Sequence, residues 1–539
     1  MFKISTAHSL TAKPTTAAVA LADQALRDLG GQIPRAALLF STFGRNHTEL
    51  LCELKRILPD CPIVGGSSNG EVSRTQGYRV SSSLLILFAS DSISIRAGVL
   101  RNLAFEDEAY NMESATQQLQ QQGFITASSN LAESKARPVL GLLFPDGIGL
   151  DGESVVRLFV SQFPGTRFFG GATAENFTMA STEQFFNEEV LHNAVPFLLL
   201  SGPLRYQWAV TQGLSSGWHA VGERLNAECD GKWIKTIASR PAIDYLASRY
   251  RLQGGQLSVC HPFVIYPERE KNDHYFRDVV RYSEDTGALE SIQLLPSECQ
   301  IQLTEPDPAA ILAVSRQNIL SALAHFPGAY TPAGVLWFSC ISRALVLDSD
   351  AASEFSTATD MIESTLPIAG FYTYGEIAPG GPQNISTYHS STLVTLLLGE
   401  EPKTDLGIFG QTKQFLIDNL KKDNLALTQA LAESQAKVNN LQNELGLLQA
   451  LERIGGHSKT ELNALLRTLA LKLVCDVLNT RFADFKRLAL KGDPPVLNRT
   501  GLARLVNDMH QKQLGKPFPL TLKQLTHILT DFGDANKLY

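Results

Sequence analysis

The 539-residue sequence lacks most of what would announce a compartment or a catalyst. Its seven cysteines, at 52, 61, 229, 260, 299, 340 and 475, are dispersed, odd in number and without C-x-x-C spacing. Neither a disulfide frame nor a thiolate zinc site is expected, and a reducing cytoplasm fits. No apolar run outlasts Ala194–Leu200, far short of the roughly 20 residues a membrane helix needs. The segment "ISTAHSLTA", ahead of Ala18-Val19-Ala20, is too polar for a secretory core. A cytoplasmic protein without direct membrane insertion is expected. Charge is thin as well, at 19% of residues and a net of −7. Residues 401–539 hold 19 Lys/Arg against 14 Asp/Glu, a net of +5, which leaves −12 on residues 1–400. An acidic body and a tail without a dense basic run argue against nucleic acid, and point to a protein partner for the tail.

What the chain does have is apolar residues, 44% of the total, enough for a large core and, at this length, for three or four domains. "RAALLFST" (35–42) reads as a strand, "HTELLCELKRIL" as a helix and "CPIVGG" as a second strand, a β-α-β unit. "VSSSLLILFASDSISIRAGVL" (80–100) follows as two antiparallel strands around an Asp-Ser turn. The order recurs in "PAGVLWFSCISRALVL" (332–347), read as a strand, then a helix through "AASEFSTATDMIEST", "LPIAGF" and "SSTLVTLLLG". A looser third copy runs from "PVLGLLFPDG" (138–147) through "DGESVVRLFVSQF" to "TRFFGGATAENF" (166–177), "TEQFFN" and "VPFLLLSG". Residues 205–304 are largely β, with a domain boundary expected near 215–222 and a short helix opening at Ser239-Arg240-Pro241. The expected fold class is α/β to α+β: tandem mixed-sheet domains with internal repeats, not a helical solenoid. Past Glu400, residues 417, 420, 427, 431, 438, 441, 445 and 448 are Ile, Leu, Leu, Leu, Val, Leu, Leu and Leu, a heptad seam broken by Asn424 and Ser434. It reads as a coiled coil that pairs two copies in parallel, ended by Gly455-Gly456 and followed by a small helical tail.

Two stretches share one pattern. "PIVGGSSNGEV" (62–72) and "PIAGFYTYGEI" (367–377) both run Pro-Ile, Val or Ala, Gly, four residues, Gly-Glu, aliphatic. Together with "LLFPDG…FFGGATAENF", "WFSCISRALVL" and "YHSSTLVTLL", these motifs resemble the FIST family, sensory domains of bacterial signal transduction, over about 35–400. The resemblance implies a FIST N-like α/β domain at 1–220 and a FIST C-like α/β domain at 221–400, before the coiled coil at 411–454 and the helical module at 455–539. It also implies small-ligand sensing, with amino acids proposed for some members and haem-bound nitric oxide for a subset, and output through kinase, cyclase or chemotaxis modules, fused or separate. No catalytic set comes with it.

Glu376 is the only charged residue between Glu363 and Glu400, in an aromatic setting of Phe371, Tyr372 and Tyr374. A carboxylate there must be solvated, paired or held for a ligand. Arg343 and Arg277 are its expected partners. The candidate ligand cleft is Arg343, Tyr372, Tyr374, Gly375, Glu376 and Arg277, taking a small polar ligand such as an amino acid; the alternative is a glycine turn with a structural acid. Ser339-Cys340 with His389 is the enzyme-class rival, a hydrolase nucleophile and base without a spacing rule to join them. His219, His261 and His389 are the candidate haem ligands, each also readable as a hydrogen-bonded structural histidine; no cofactor or metal is expected. "DFG" at 531–533 has no kinase companions and no Gly-Gly-acid-acid-Phe element occurs. The chain therefore reads as a non-enzymatic sensor or adaptor, a homodimer signalling to a separate downstream protein.

Overall fold

Lys3–Ser9 (β1) begins a pattern that the chain then repeats. It leads into the helix Pro14–Leu29 (α1), which has its proline in the first turn and ends at Gly30 in the left-handed region. Ala36–Thr42 (β2), the helix His47–Ile57 (α2) and Ile63–Ser68 (β3) form the expected β-α-β unit. Asn46 caps α2 by accepting from the Glu49 amide, and Leu50, Leu51 and Leu54 bury one helix face. A short hairpin, Glu71–Ser73 (β4) and Gly77–Arg79 (β5), precedes the return strand Ser83–Ala89 (β6). β2 and β3 are parallel and β6 lies antiparallel between β1 and β2.

The second repeat begins at Ser94–Leu100 (β7), followed by the two-residue strands Phe105–Glu106 (β8) and Ala109–Tyr110 (β9) and the helix Met112–Gln121 (α3). Its parallel pair is Leu140–Leu143 (β10) and Arg167–Gly171 (β11), joined by Gly152–Gln162 (α4). The hairpin is Gln184–Phe186 (β12) and Glu189–Leu191 (β13), and the return strand Val195–Ser201 (β14). The third repeat opens at Leu204–Val210 (β15) and is then interrupted by a separate sheet. That sheet holds Trp218–Asp230 (β16), Trp233–Ile237 (β17), Arg240–Pro241 (β18), Phe263–Tyr266 (β19), Tyr275–Arg277 (β20), Val279–Tyr282 (β21), Leu289–Ser291 (β22) and Glu298–Pro306 (β23), with the helix Ala242–Arg249 (α5). The third repeat resumes with Pro308–His325 (α6), Gly334–Cys340 (β24), Ile341–Leu347 (α7) and Ala351–Thr359 (α8). It ends with Ile368–Thr373 (β25), the hairpin Glu376–Gly380 (β26) and Ile385–His389 (β27), and Leu393–Glu400 (β28).

Each repeat's hairpin leaves its own sheet and completes another. β4 pairs with β25, β26 with β11 and β12 with β3, so the donations close a cycle of three. The resulting six-stranded sheets have the same order: β1-β6-β2-β3-β12-β13, β7-β14-β10-β11-β26-β27 and β15-β28-β24-β25-β4-β5. One face of all three contributes to a shared apolar core. The equivalent residues Phe40, Phe144 and Phe338 meet there, with ring centroids 5.2 Å apart for the first two and 6.2 Å for the last two, and Phe371 stacks on Phe40 at 4.0 Å.

The computed structural model describes residues 2–103, 105–106, 109–110, 112–125, 138–249, 260–268, 273–327, 332–360, 362, 365–381 and 384–400. Beyond these it describes only the antiparallel pair Leu490–Lys491 (β29) and Val496–Leu497 (β30). Residues 1–414 form one compact unit and 415–539 another. The coiled coil and helical tail expected at 411–454 and 455–539 lie outside the described residues. The mixed α/β architecture with mixed sheets matches expectation, and the inserted sheet starts at Trp218, inside the third repeat. Two local expectations are corrected. β6 and β7 are not a hairpin but belong to different sheets, because β7 is the first strand of the next repeat. The strand expected over 332–347 stops at Cys340, since Ile341, Ala344 and Leu347, three residues apart, bury one face of a helix. No helix among the described residues is long and apolar enough to cross a membrane.

Candidate functional site

The two Gly-Glu stretches fall at equivalent positions, and their carboxylates have equivalent surroundings. Glu71 is fully buried and accepts from the hydroxyls of Ser68, Ser82 and, at 3.0 Å, Thr42. Glu376 is also fully buried and accepts from Thr373 Oγ1 at 2.5 Å, Thr392 Oγ1 at 2.6 Å and the Thr392 amide at 3.1 Å. Ser68 corresponds to Thr373, Ser82 to Thr392 and Thr42 to Cys340 in the strand registers. The second repeat has Glu175-Asn176 where the Gly-Glu stands in the other two, but places Asp146 where Thr42 and Cys340 stand. Asp146 accepts from the Ile148, Gly149 and Asn193 amides and from Thr182 Oγ1, all within 3.0 Å. Each repeat thus buries one carboxyl group at the end of its parallel strand pair.

Burial pushes Glu71 up to about 7 and Glu376 up to about 8, against the pull of their hydroxyl partners, with nearby Asp278 raising Glu376 further. Asp278, buried and accepting from Ser391 at 3.0 Å, is likewise raised to about 7. A carboxyl whose folded pKa exceeds its unfolded value holds a proton that the unfolded chain has already released. Stability therefore falls as pH rises from about 4.5 to 8, by up to about 1.4 kcal/mol per pH unit for each group. Melts at pH 5.5, 7 and 8.5 check this: the wild type is expected to lose stability across the series, and Glu376→Gln, which mimics the protonated acid, to flatten the slope. A wild-type profile that rises over this range would contradict the assignment.

The expected pairing of Glu376 with Arg343 or Arg277 is not made. Hydroxyls and a backbone amide satisfy the glutamate instead. Arg343, also fully buried, gives Nε to Glu354 Oε1 at 2.7 Å, Nη1 to the Ser216 carbonyl at 2.8 Å and Nη2 to Ser315 Oγ at 2.7 Å. Tyr372 joins the same knot, donating to Glu354 Oε2 at 2.7 Å. Tyr374 reaches into the second repeat and donates to Glu175 Oε1 at 2.6 Å. Gly375 holds a left-handed φ of 154, and a Cβ there would lie 2.3 Å from the Tyr388 ring. The structure thus brings Arg343 and Tyr372 together, but around Glu354. That residue carried no signal in the sequence, because several acids surround it there.

The hydrolase arrangement is not formed either. Ser339 donates to Glu354 at 3.1 Å, burial drives the Cys340 thiol well above its ordinary range, and His389 Nε2 donates to the Ala378 carbonyl at 3.1 Å. Burial lowers His389 to about 4 and also lowers His261, whereas His219 is exposed 3.8 Å from Glu305.

A cavity of about 1390 Å³ opens where the inserted sheet meets the second and third repeats. α4 supplies Glu153, Arg157 and Leu158, the segment through β20 supplies His274, Tyr275 and Arg277, and the β26–β27 hairpin supplies Ile385, Tyr388 and His389. Arg277 is the expected site residue that reaches this cavity, and it is only 6% exposed. Its Nη1 donates to the Phe276 carbonyl at 3.0 Å and its guanidinium sits 4.2 Å from the Tyr275 ring, but its Nε has no hydrogen-bond partner. Such an orphaned buried donor typically costs about 1–3 kcal/mol, which an arriving acceptor would recover. Glu153 is turned to the hairpin, accepting from Thr387 Oγ1 at 2.7 Å and the Tyr388 amide at 2.9 Å. The cleft therefore offers a fixed cation, aromatic and aliphatic walls, and polar rims. Its α4 and His274 contributions were not legible beforehand, since only the fold brings these distant segments together.

Compared with known families, residues 35–240 match the FIST N domain and residues 244–379 the FIST C domain. No curated protein matches the chain. Among solved structures, T. maritima PurL complexed with ATP is similar at 12% identity over 78% of each chain, with a TM-score of 0.17, too weak to bear on fold or function.

Proposed function

The chain belongs to the FIST family, with FIST N and FIST C domains in tandem, and since FIST domains are associated with sensing in signal transduction, we propose that it senses a small carboxylate-bearing ligand, an amino acid being the class that fits. The observation that carries this reading is Arg277: a buried guanidinium in the wall of a 1390 Å³ cleft with an unused Nε–H. A ligand carboxylate on that fork gains a charge-assisted hydrogen bond. Tyr275 and Tyr388 cover its apolar part, and Glu153 with Asp273 gives the rim negative charge for an ammonium group. Binding would draw the inserted sheet and the β26–β27 hairpin together, since both line the cleft. The signal then passes, in this reading, through a coiled-coil homodimer at 411–454 to a separate output protein in the cytoplasm. No nucleic acid, membrane insertion or catalysis is involved. The sensor is read as cofactor-free: His389 lines the cleft but commits Nε2 to a backbone carbonyl.

A melting screen with free amino acids and simple carboxylates tests the reading on the full chain. Ligand at a hundred times its dissociation constant stabilises by about 2.7 kcal/mol, a shift of about 3 °C for a body of this size. Arg277→Gln is expected to abolish the shift and to leave the unliganded melting point within about 1 °C. A panel without any shift, or a shift that survives Arg277→Gln, overturns the proposal, and a Soret band after hemin reconstitution would favour the haem alternative.

A further inference from the structure

The inserted sheet brings together two cysteines 70 residues apart. β16 and β23 are antiparallel, with Ala227 opposite Cys299, and the Cys229 amide donates to the Ser297 carbonyl at 2.8 Å. Cys229 and Cys299 are therefore diagonal neighbours across the ladder, and their sulfurs lie 4.0 Å apart. Both are buried in the apolar core of this sheet, at 8% and 1% exposure. Among the described residues no cluster of three or more His, Cys, Asp or Glu could hold a metal ion, so this thiol pair lacks the further ligands of a metal site. The register between β16 and β17 shifts at Glu228/Cys229, a local irregularity of the kind that re-aims a side chain.

We propose that Cys229 and Cys299 are a reversible dithiol–disulfide pair, oxidised by hydroperoxides, whose closure stiffens the wall of the ligand cleft. The sulfurs start 4.0 Å apart, and closing to the roughly 2.05 Å of a disulfide takes side-chain rotation together with a small backbone movement, because diagonal neighbours stand at the upper end of the span a disulfide bridges; the irregularity at Glu228/Cys229 is where the strand can yield. The two thiols touch and either can donate to the other; the contact with Cys229 lowers the Cys299 thiol against the effect of burial, and Cys299 serves as the attacking thiolate in the proposed step. The Cys299 thiolate attacks one oxygen of hydrogen peroxide. The O–O bond breaks, the other oxygen leaves as hydroxide and takes up a proton to become water, and Cys299 becomes a sulfenic acid. The Cys229 sulfur then attacks the Cys299 sulfur, the S–O bond breaks, and a second water leaves with the Cys229 proton. In sum two thiols and one peroxide give one disulfide and two waters, with two electrons passing from sulfur to oxygen.

The cleft is within reach of this event. Tyr275 packs on the core that contains both cysteines, lies close enough for charge on either to raise its phenol, and lies 4.2 Å beneath the Arg277 guanidinium. A bond between β16 and β23 removes freedom from the strands behind it, including β19, which pairs with both β23 and β20.

Peptide mapping of the full chain after peroxide treatment and thiol blocking under denaturing conditions tests the chemistry. The expected result is one cross-linked species joining the Cys229 and Cys299 peptides, lighter by two hydrogens, reversed by dithiothreitol and absent from Cys299→Ser. Hydrogen exchange on the same samples tests the reach: amides of 275–277 are expected to slow several-fold on oxidation and to recover on reduction. Two blockable thiols persisting at 229 and 299 while exposed Cys52 oxidises, or a disulfide that leaves exchange at 275–277 unchanged, overturns the proposal. The outcome is independent of which ligand, if any, the cleft takes.

Discussion

Glu354→Ala is expected to destabilise the body by about 3–5 kcal/mol, the range for removing one partner of a buried ion pair. The glutamate and Arg343 are both wholly inaccessible, and one carboxylate serves four donors: Arg343 Nε at 2.7 Å, Ser315 Oγ at 2.8 Å, Tyr372 OH at 2.7 Å and Ser339 Oγ at 3.1 Å. Alanine would leave the guanidinium with only neutral acceptors, the Ser216 and Ile311 carbonyls and Ser315 Oγ. Because the cost is that of a stranded charge, the double variant Arg343→Met/Glu354→Leu is expected to recover much of the loss, while Arg343→Lys, which cannot bridge the same acceptors, is not. Urea unfolding followed by tryptophan fluorescence checks all four proteins. A loss below about 1 kcal/mol for Glu354→Ala would show that water replaces the missing carboxylate and that the knot is less closed than its burial indicates.

Gly370→Ala is expected to cost more than about 4 kcal/mol or to prevent folding. A Cβ at this position would stand 1.6 Å from the Trp337 carbonyl oxygen of the neighbouring parallel strand, and that carbonyl cannot retreat without leaving its own ladder. Ordinary overpacking costs about 1–3 kcal/mol because side chains can shift; here the obstacle is backbone. The repeat makes the prediction sharper. Gly65 and Gly170 are the equivalent residues, with Cβ positions 1.9 Å from the Leu39 and 2.1 Å from the Leu143 carbonyl oxygen. Alanine at any of the three is expected to be comparably damaging, whereas at Gly381, with nothing within 4 Å, only the left-handed backbone penalty of about 1 kcal/mol applies. Soluble yield and unfolding midpoints compare the four variants. A mild Gly370→Ala, within about 1 kcal/mol of Gly381→Ala, would refute the close strand approach.

These three glycines also show how far the sequence could be read. The parallel strand pairs were legible from "RAALLF…PIVGG", "LGLLF…FFGG" and "VLWFS…PIAGF", because an apolar run ending at a fixed glycine is a local signal. Which sheet each hairpin completes was not, because Glu71–Arg79 would alternate in the same way against β3 as against β25. Glu376 illustrates a different limit. Its isolation among uncharged residues marks it as needing a partner, but Thr373 and Thr392, being neutral, do not stand out in a charge pattern, which points to arginines instead. Arg277 was selected for the wrong partner and yet sits in the cleft wall. Cys229 and Cys299, dispersed by the count along the chain, meet only because β16 and β23 pair.

The cyclic exchange of hairpins bears on how such a chain can be made. As a ribosome releases it from the N-terminus, the first repeat is finished at Ala89, but the edge of β3 has no partner until β12 emerges at Gln184, and β4–β5 have none until β25 emerges at Ile368. Nearly three hundred residues of synthesis separate that hairpin from the strand it completes. Throughout that interval the nascent protein carries unpaired strand edges of the kind that invite association with neighbours, so a prematurely terminated product is a candidate for aggregation rather than a smaller working protein.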